Sequence, residues 1–180
     1  MPTTNMHPNS QAMLDAWERM TATPEDLAGG PPAYDYPGLL GCLFILQGGL
    51  PGKLPFRIAG DDLSGLLGRN LIGSNFLDIW SAEDRPLLSA LVEKVLSERR
   101  PAIVRGQGAI GRRKSVNIEV VFAPLDKTGV GRGRILALYQ VLGSDRVAQD
   151  IPIGTHSLTA LFPPEPEDTK VELRLVACND

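Results

Sequence analysis

The stretch from Ser81 to Arg99 constrains the fold most, because it has a clear helical period over its whole length. Ser81 or Asp84 can cap its start, and a proline at position 86 is tolerated in a first turn. Pro101 ends the helix. So wide an apolar stripe must pack against a second layer. The stripe consists of Leu87, Leu88, Leu91, Val92, Val95 and Leu96.

Segments typical of β-strands lie on both sides of this helix. Residues 37–58 predict a hairpin, with one strand from Leu39 to Gln47 and a second from Leu54 to Ile58. Pro55 indicates that the second strand lies at an edge of the sheet or is irregular at its start. Three further strands are predicted after the helix, at residues 102–110, 116–122 and 135–142. The order of elements therefore predicts an α+β domain with a five-stranded sheet and helices on one face.

Residues 59–80 predict short helical pieces, because four glycines interrupt the pattern. Asp61 or Asp62 can cap one piece and Ser74 another. The domain is predicted to span residues 37–147, and the two ends are predicted to be extensions.

The N-terminal extension, residues 1–36, carries one helix capped by Ser10, with Met13, Leu14, Trp17 and Met20 on one face. The C-terminal extension, residues 148–180, contains a short helical turn over 157–162. Residues 171–176 alternate like a late strand, whose pairing the pattern leaves open.

Composition excludes several classes of protein. The 180 residues carry a net charge of -3, which argues against a general nucleic-acid binder. Cys42 and Cys178 are too few for a disulfide framework or a thiol metal site, and His7 and His156 stand alone, so no metal site is expected. The longest apolar run, residues 39–46, is too short for a membrane helix. Because residues 1–20 lack a secretory signal, we expect a cytoplasmic protein.

Two local motifs have ordinary explanations. Residues 106–111 match the dinucleotide-binding pattern G-x-G-x-x-G, but strand alternation follows where a helix would be needed, so the match is interpreted as accidental. The basic stretch at residues 99–114 has no acidic residue. Its interpretation as a solvated strand face and turn is favoured over a phosphate or acidic-partner surface, since no aromatic residues are interleaved. The basic residues are Arg99, Arg100, Arg105, Arg112, Arg113 and Lys114.

Short motifs occur in a fixed order between Leu54 and Gly143. They are the sequences FRIAG at 56–60, LGRNLIG at 67–73, NFLDIW at 75–80, DRP at 84–86 and APL at 123–125. This order resembles a PAS domain, more narrowly a bacterial stand-alone PAS family of largely uncharacterised function. The resemblance implies a five-stranded antiparallel sheet, with residues 37–50 as the first strand.

The resemblance implies a sensor, a cofactor binder or a protein-interaction module. Haem-binding relatives use a histidine on the long helix and flavin photosensors use a cysteine among the short helices; both residues are missing here, so haem and flavin are disfavoured. A small organic ligand between the sheet and the short helices remains a hypothesis, and the alternative is that the same residues form only a core. The candidate lining residues are Phe56, Arg57, Ile58, Leu67, Leu71, Phe76, Trp80, Val104, Ile118, Val120, Leu136 and Leu138.

These expectations combine into a cytoplasmic single-domain signalling protein that has no output domain of its own and acts in trans on a partner protein. The apolar stripe of the N-terminal helix suggests docking on the sheet or on a second copy of the chain. Docking on a second copy gives the hypothesis of a homodimer. One alternative is a small enzyme that uses Arg57, Asn117 and Glu119 in the same cavity. The other is a protein that binds an acidic partner through residues 99–114.

Overall fold

The computed structural model describes residues 6–21, 39–125, 133–143 and 151–165. Four α-helices and one 3₁₀ helix lie in these ranges: α1 (Pro8–Thr21), α2 (Leu39–Cys42), α3 (Asp61–Leu67), the 3₁₀ helix (Phe76–Ile79) and α4 (Arg85–Glu98). The strands are β1 (Leu43–Gln47), β2 (Phe56–Ala59), β3 (Ala102–Ile110), β4 (Lys114–Pro124), β5 (Arg134–Leu142) and β6 (Ile153–Phe162).

The six described strands form one sheet in the order β2-β1-β5-β4-β3-β6, and every neighbouring pair is antiparallel. Val120 of β4 lies opposite Val104 of β3 on one side and opposite Tyr139 of β5 on the other. The three central strands alternate in this register, so the sheet has an inner and an outer face. The strand with Pro55 at its start, β2, lies at an edge as predicted.

The inner face packs against α3, the 3₁₀ helix and α4. Alternate residues of β4 point to it, from Val116 to Phe122, and α4 covers them with Leu88, Leu91, Val92 and Val95. Each such side chain contributes roughly 1.5–3 kcal/mol when it leaves water. The long apolar stripe therefore forms one wall of the main core, as its period predicts.

The outer face is covered by α1, which corrects the expectation that helices lie on one face alone. Met13 and Leu14 are buried against Val121, Ala123 and Leu138 of the sheet. The Trp17 indole N–H donates a hydrogen bond to the Pro124 carbonyl at 2.7 Å. The predicted helix thus docks on the sheet of its own chain, because the outer face offers an apolar strip between β4 and β5.

The sheet has six described strands rather than five, because β6 pairs with β3. The prediction of a short helical turn over 157–162 is wrong. The β-branched and polar residues Thr155, Ser157 and Thr159 favour an extended chain, and β3 offers a strand edge for pairing. Residues 171–176, where a late strand was considered, lie outside the described residues.

Several element starts differ from the prediction. Residues 39–42 form α2 rather than the beginning of β1. Gly60 is the N-cap residue of α3, whose first turn holds Asp61 and Asp62, where negative charge suits the helix dipole. Asn75, not Ser74, caps the 3₁₀ helix by accepting a hydrogen bond from the Leu77 N–H.

Asp84 stands at the N-cap position of α4 but makes no side-chain cap. Its carboxylate accepts hydrogen bonds from the Ser81 hydroxyl at 2.7 Å and the Leu158 backbone N–H at 2.8 Å. The start of α4 is therefore tied to β6, a strand that the sequence pattern did not reveal.

Candidate functional site

Most of the predicted pocket residues come together in the inner core. Phe56, Phe76 and Trp80 are buried there, and the ring of Phe76 lies 5.7 Å from Phe122 and 6.1 Å from Trp80 between centroids. Such spacings are those of packed aromatic pairs. The buried residues from the prediction are Phe56, Leu67, Leu71, Phe76, Trp80, Val104, Ile118 and Val120.

Four of the predicted lining residues lie elsewhere. Arg57 and Ile58 are exposed, Ile58 at 57% of its surface. The pairing of β1 with β2 shifts register between Ile45 and Leu46, which leaves Arg57 unmatched as a β-bulge. Ile58 consequently lies opposite Ile45, away from the core. Leu136 and Leu138 face α1, because strand alternation sends them to the outer face.

A buried polar pair lies at the end of the aromatic core. The Tyr139 hydroxyl is 2.7 Å from His156 Nε2, and His156 Nδ1 is 3.2 Å from the Ile79 carbonyl. A carbonyl only accepts, so Nδ1 carries the proton and Nε2 accepts from Tyr139. The Trp80 ring lies 5.3 Å from the imidazole, between centroids. These contacts fix a neutral imidazole in one tautomer.

Burial dominates the protonation of this pair. It lowers the pKa of His156 to about 4; Arg69 also lowers it, and hydrogen bonds with the Gly154 and Ile79 backbone act in the opposite direction. Burial likewise raises the pKa of Tyr139. Both groups are neutral near pH 7, and neither is exposed to solvent. They act as a structural hydrogen bond rather than as an acid and a base.

Gly106 and Gly108 of the G-x-G-x-x-G match lie on β3 and make room for these rings. A Cβ atom on Gly106 would lie 2.9 Å from Trp80 Cζ3 and 2.7 Å from the Ser157 carbonyl oxygen. A Cβ atom on Gly108 would clash with Ile153 and lie 3.4 Å from His156 Nε2. Gly111, with φ of 58°, forms the turn to β4. The motif therefore leaves room for the Trp80 and His156 side chains, and β4 rather than a helix follows it.

Replacement of Gly106 by alanine is expected to destabilise the fold by about 1–3 kcal/mol, because the methyl group overlaps the Trp80 ring and a backbone oxygen. Urea unfolding followed by circular dichroism measures the loss. Gly65→Ala is the control: it is a helical glycine of α3 with open space around its Cβ position, so alanine should stabilise by roughly 0.5–1 kcal/mol. Equal effects of the two variants would contradict this explanation.

Sequence reasoning placed His156 in a weakly ordered end and did not single out Tyr139. A usable signal was present in the spacing of Gly106 and Gly108, which removes two side chains from the same face of one strand. Such a gap predicts a bulky neighbour. The ring beside Gly106 is Trp80, whereas the side chains beside Gly108 are Ile153 and His156 of β6, whose approach depends on an unpredicted strand pairing.

The polar residues proposed for an enzyme site do not converge in the core. Glu119 lies on the outer face, fully buried, where its Oε2 accepts from Arg105 at 2.9 Å and its Oε1 accepts from the His7 backbone N–H at 3.1 Å. Asn117 pairs with Gln107 on the same face. Arg57 lies on the exposed edge. This ion pair, in which Glu119 is buried and Arg105 is partly exposed, instead anchors the start of α1 to β3 and β4.

A groove with a volume of about 570 Å³ lies on the outer side of the protein, between α1, the start of β3 and the end of β6. We call it the outer groove. Three arginines and one glutamate are among its described lining residues: Arg99, Arg100, Arg105 and Glu165. Its apolar wall includes Leu14, Trp17, Ile103, Leu161, Phe162 and Pro163.

The basic stretch is divided between two places. Arg99, Arg100 and Arg105 line the outer groove, whereas Arg112, Arg113 and Lys114 are exposed around the turn between β3 and β4. Arg105 pairs with Glu119 and lies over the Phe162 ring at 5.6 Å. The stretch is therefore not one continuous basic face.

The described ranges contain no group of three or more histidine, cysteine, aspartate or glutamate side chains that could hold a metal ion. No helix within them is long and apolar enough to cross a membrane. Burial and the nearby Asp62 raise the pKa of Cys42 to about 11, so its thiol stays protonated and weakly nucleophilic.

Several solved structures are similar at low identity. A LOV protein of Rhodobacter sphaeroides is 14% identical over 78% of this chain and 71% of its own, with a TM-score of 0.48. The PAS-B domain of Drosophila melanogaster Cycle with bound glycerol is 14% identical over 55% and 99%, with a TM-score of 0.42. The Bordetella pertussis BvgS PAS domain is 8% identical over 57% and 77%, at 0.43. No curated protein matches the sequence significantly.

The sequence itself identifies the family. The PAS domain model matches residues 6–140, which is most of the chain and includes α1, α4 and strands β1 to β4. PAS domains are generally sensory or interaction modules in signalling. The chain belongs to the PAS domain family.

Proposed function

We propose that this protein is a cytoplasmic PAS module that acts in trans, by binding a signalling partner through the outer face of its sheet. The proposal rests on the packing of α1 over that face. Val121, Ala123 and Leu138 are fully buried, and α1 supplies the buried side chains packed against them, Met13 and Leu14. An apolar sheet face that one helix covers is a surface that a partner can also cover.

The proposal requires two arrangements of the chain. With α1 docked, the outer face is closed; with α1 released, the strip between β4 and β5 is open to a partner or to a second copy of the chain. The most extensive described contacts of α1 are with β4 and β5 on the outer face, and the inner core cluster contains no residue of α1. A partner that binds the open face shifts the population toward it by its differential affinity.

The inner core gives little support for a flavin or haem site of the kinds considered from sequence. The helical segments that would face such a group, residues 61–80 and 85–98, contain neither cysteine nor histidine. The rings of Phe44, Phe56, Phe76 and Trp80 pack against each other in the inner core, where the sequence analysis considered a ligand. We therefore propose a protein partner rather than either cofactor as the functional ligand of this domain.

No feature of the described residues supports the enzyme alternative. Arg57, Asn117 and Glu119 do not converge on one site, and the Tyr139–His156 pair is closed to solvent. The hypothesis that residues 99–114 bind an acidic partner as one surface is also weakened, because the arginines of this stretch lie in two separate places. A sensory or interaction role remains the function that the geometry supports best.

The test is to release α1 without touching the inner core. Leu14→Ser removes a buried contact with the sheet, and Met20→Ser on the same helix is the matched control, because Met20 is 55% exposed. Amide hydrogen exchange should rise about tenfold or more in α1 for Leu14→Ser, while the exchange of α4 and β3 stays unchanged. Equal exchange of α1 and the sheet in the unaltered protein, through global unfolding alone, would contradict the proposed release.

The same pair of variants tests partner binding. Each variant is expressed in the source cells with an affinity tag, and co-purified proteins are compared quantitatively with the unaltered chain. We expect one signalling protein to be enriched with Leu14→Ser and not with Met20→Ser. Enrichment that does not differ between the variants would refute a partner site on the outer face.

A further inference from the structure

The outer groove has the dimensions of a ligand site. Its volume of about 570 Å³ lies within the roughly 300–1,000 Å³ of small-molecule pockets. It is bounded on one side by Leu14 and Trp17 of α1 and on the other by Leu161 and Phe162 of β6. Because the groove has a wall on each side, it can enclose one alkyl chain. A flat surface that binds a membrane would have no such walls.

The chemistry of the groove is divided between apolar walls and positive charge. The walls suit an alkyl chain, whose burial is favourable for every methylene removed from water. Arg99 and Arg100 stand together just after α4, and Arg105 stands further along β3. Among the described lining residues the three arginines face one glutamate, Glu165, so the groove has an excess of positive charge. Guanidinium groups bind carboxylates in a matched, two-pronged geometry.

Two of the arginines, Arg100 and Arg105, are also held in place by neighbouring groups. Arg105 is fixed by the Glu119 carboxylate and the Phe162 ring. Arg100 donates a hydrogen bond to the Glu165 backbone carbonyl at 2.9 Å. Its guanidinium therefore lies beside residues 163–165, which line the groove. Preorganised charges lose less freedom when a ligand binds.

We propose that the outer groove binds a free fatty acid, with the alkyl chain between α1 and β6 and the carboxylate at Arg99 and Arg100. The site is separate from the inner core, where the sequence analysis considered a small organic ligand as a hypothesis. It deepens the sensory function proposed above and rests on it only for the consequence of binding.

That consequence follows from two shared residues. Leu14 and Trp17 line the groove and also hold α1 on the sheet. A fatty acid therefore binds the docked arrangement better than the released one and shifts the population toward it. The ligand would close the outer face that the partner uses.

The test is calorimetric titration of the full chain with dodecanoate below its micelle concentration. Dodecyltrimethylammonium, which has the same chain and the opposite charge, is the comparison ligand. We expect the cation to bind at least tenfold more weakly than dodecanoate. Amide exchange should slow in residues 8–21 and 161–165 when dodecanoate binds, which locates the site. Equal affinity for both ligands, or protection elsewhere in the chain, would overturn the proposal.

Variants then test the carboxylate site. The double variant Arg99→Asn with Arg100→Gln removes both charges; asparagine suits the left-handed backbone of Arg99, whose φ is 55°. Arg112→Gln with Arg113→Gln removes the same charge from the exposed turn and is the matched control. The Kd for dodecanoate should rise about tenfold in the first variant and stay unchanged in the second. An equal rise in both, or binding only to phospholipid vesicles, would refute a fatty-acid site.

This experiment and the partner experiment fail separately. Loss of the fatty-acid result leaves the enrichment of a partner by Leu14→Ser untouched. If dodecanoate binds but no partner is enriched, the fatty-acid site stands, and only its proposed effect on partner binding is refuted.

Discussion

Replacement of Trp80 by alanine is expected to lower the free energy of unfolding by about 3–5 kcal/mol, the largest effect of any single change proposed for this chain. Trp80 is fully buried and contacts Phe76 and His156 through its ring, and Gly106 lies against its edge. Alanine leaves a cavity that these fixed neighbours cannot close. Urea unfolding followed by far-ultraviolet circular dichroism measures the loss.

Ile58→Ala is the matched control for this prediction. Both residues were predicted from sequence to line the same pocket, but Ile58 is more than half exposed. Its replacement should change the free energy of unfolding by no more than about 0.5 kcal/mol. A loss at Ile58 comparable with that at Trp80 would show that the bulge at Arg57 does not turn Ile58 outward. A Trp80→Ala protein of nearly full stability would contradict the packed core.

Lowering the pH from about 6.5 to about 4 should destabilise the protein through His156, by up to about 3 kcal/mol. An unfolded histidine binds a proton below about pH 6.5, whereas burial keeps the folded imidazole neutral down to about pH 4. The unfolded state therefore binds more protons inside this window, and stability rises with pH there. Above about pH 6.5 the contribution is fully present. Urea unfolding at a series of pH values measures the slope.

The variants separate this histidine from the other titratable groups. His156→Gln should flatten the slope between pH 4 and 6.5, and His7→Gln, which removes the other histidine, should retain it. If His156→Gln fails to fold, the imidazole signals of the unaltered protein still report the pKa by nuclear magnetic resonance. A folded His156 that titrates near pH 6.5 would contradict the buried hydrogen bond with Tyr139.

Local patterns predicted the central part of the fold. The period of Leu88 to Val95 predicted α4, and the alternation of Val116 to Phe122 predicted β4 with its inner face. Helix α4 has one buried and one exposed face, and residues 116–122 alternate between apolar and mostly polar side chains, so both periods are visible in the sequence. The sixth strand was missed because residues 153–162 alternate weakly, and their extended form depends on an edge of β3 that no local pattern encodes.

The arrangement of the candidate site was predictable from the sequence only in part. Phe56, Phe76 and Trp80, which the family resemblance suggested as pocket residues, lie together in the inner core. Ile58, Leu136 and Leu138 lie elsewhere, because a one-residue bulge or one step along a strand reverses the face on which a side chain lies. Glu119 lies on the outer face with Arg105 for the same reason.

The positions of the two tryptophans give the chain its own optical assay. Trp80 is enclosed in the inner core, whereas Trp17 is half-buried on α1 with its indole N–H on the Pro124 carbonyl. Since the sheet separates them, their emission reports two different events. Release of α1 should shift only the Trp17 component to longer wavelength, and global unfolding should shift both. An unlabelled sample can therefore show whether the helix leaves before the core opens.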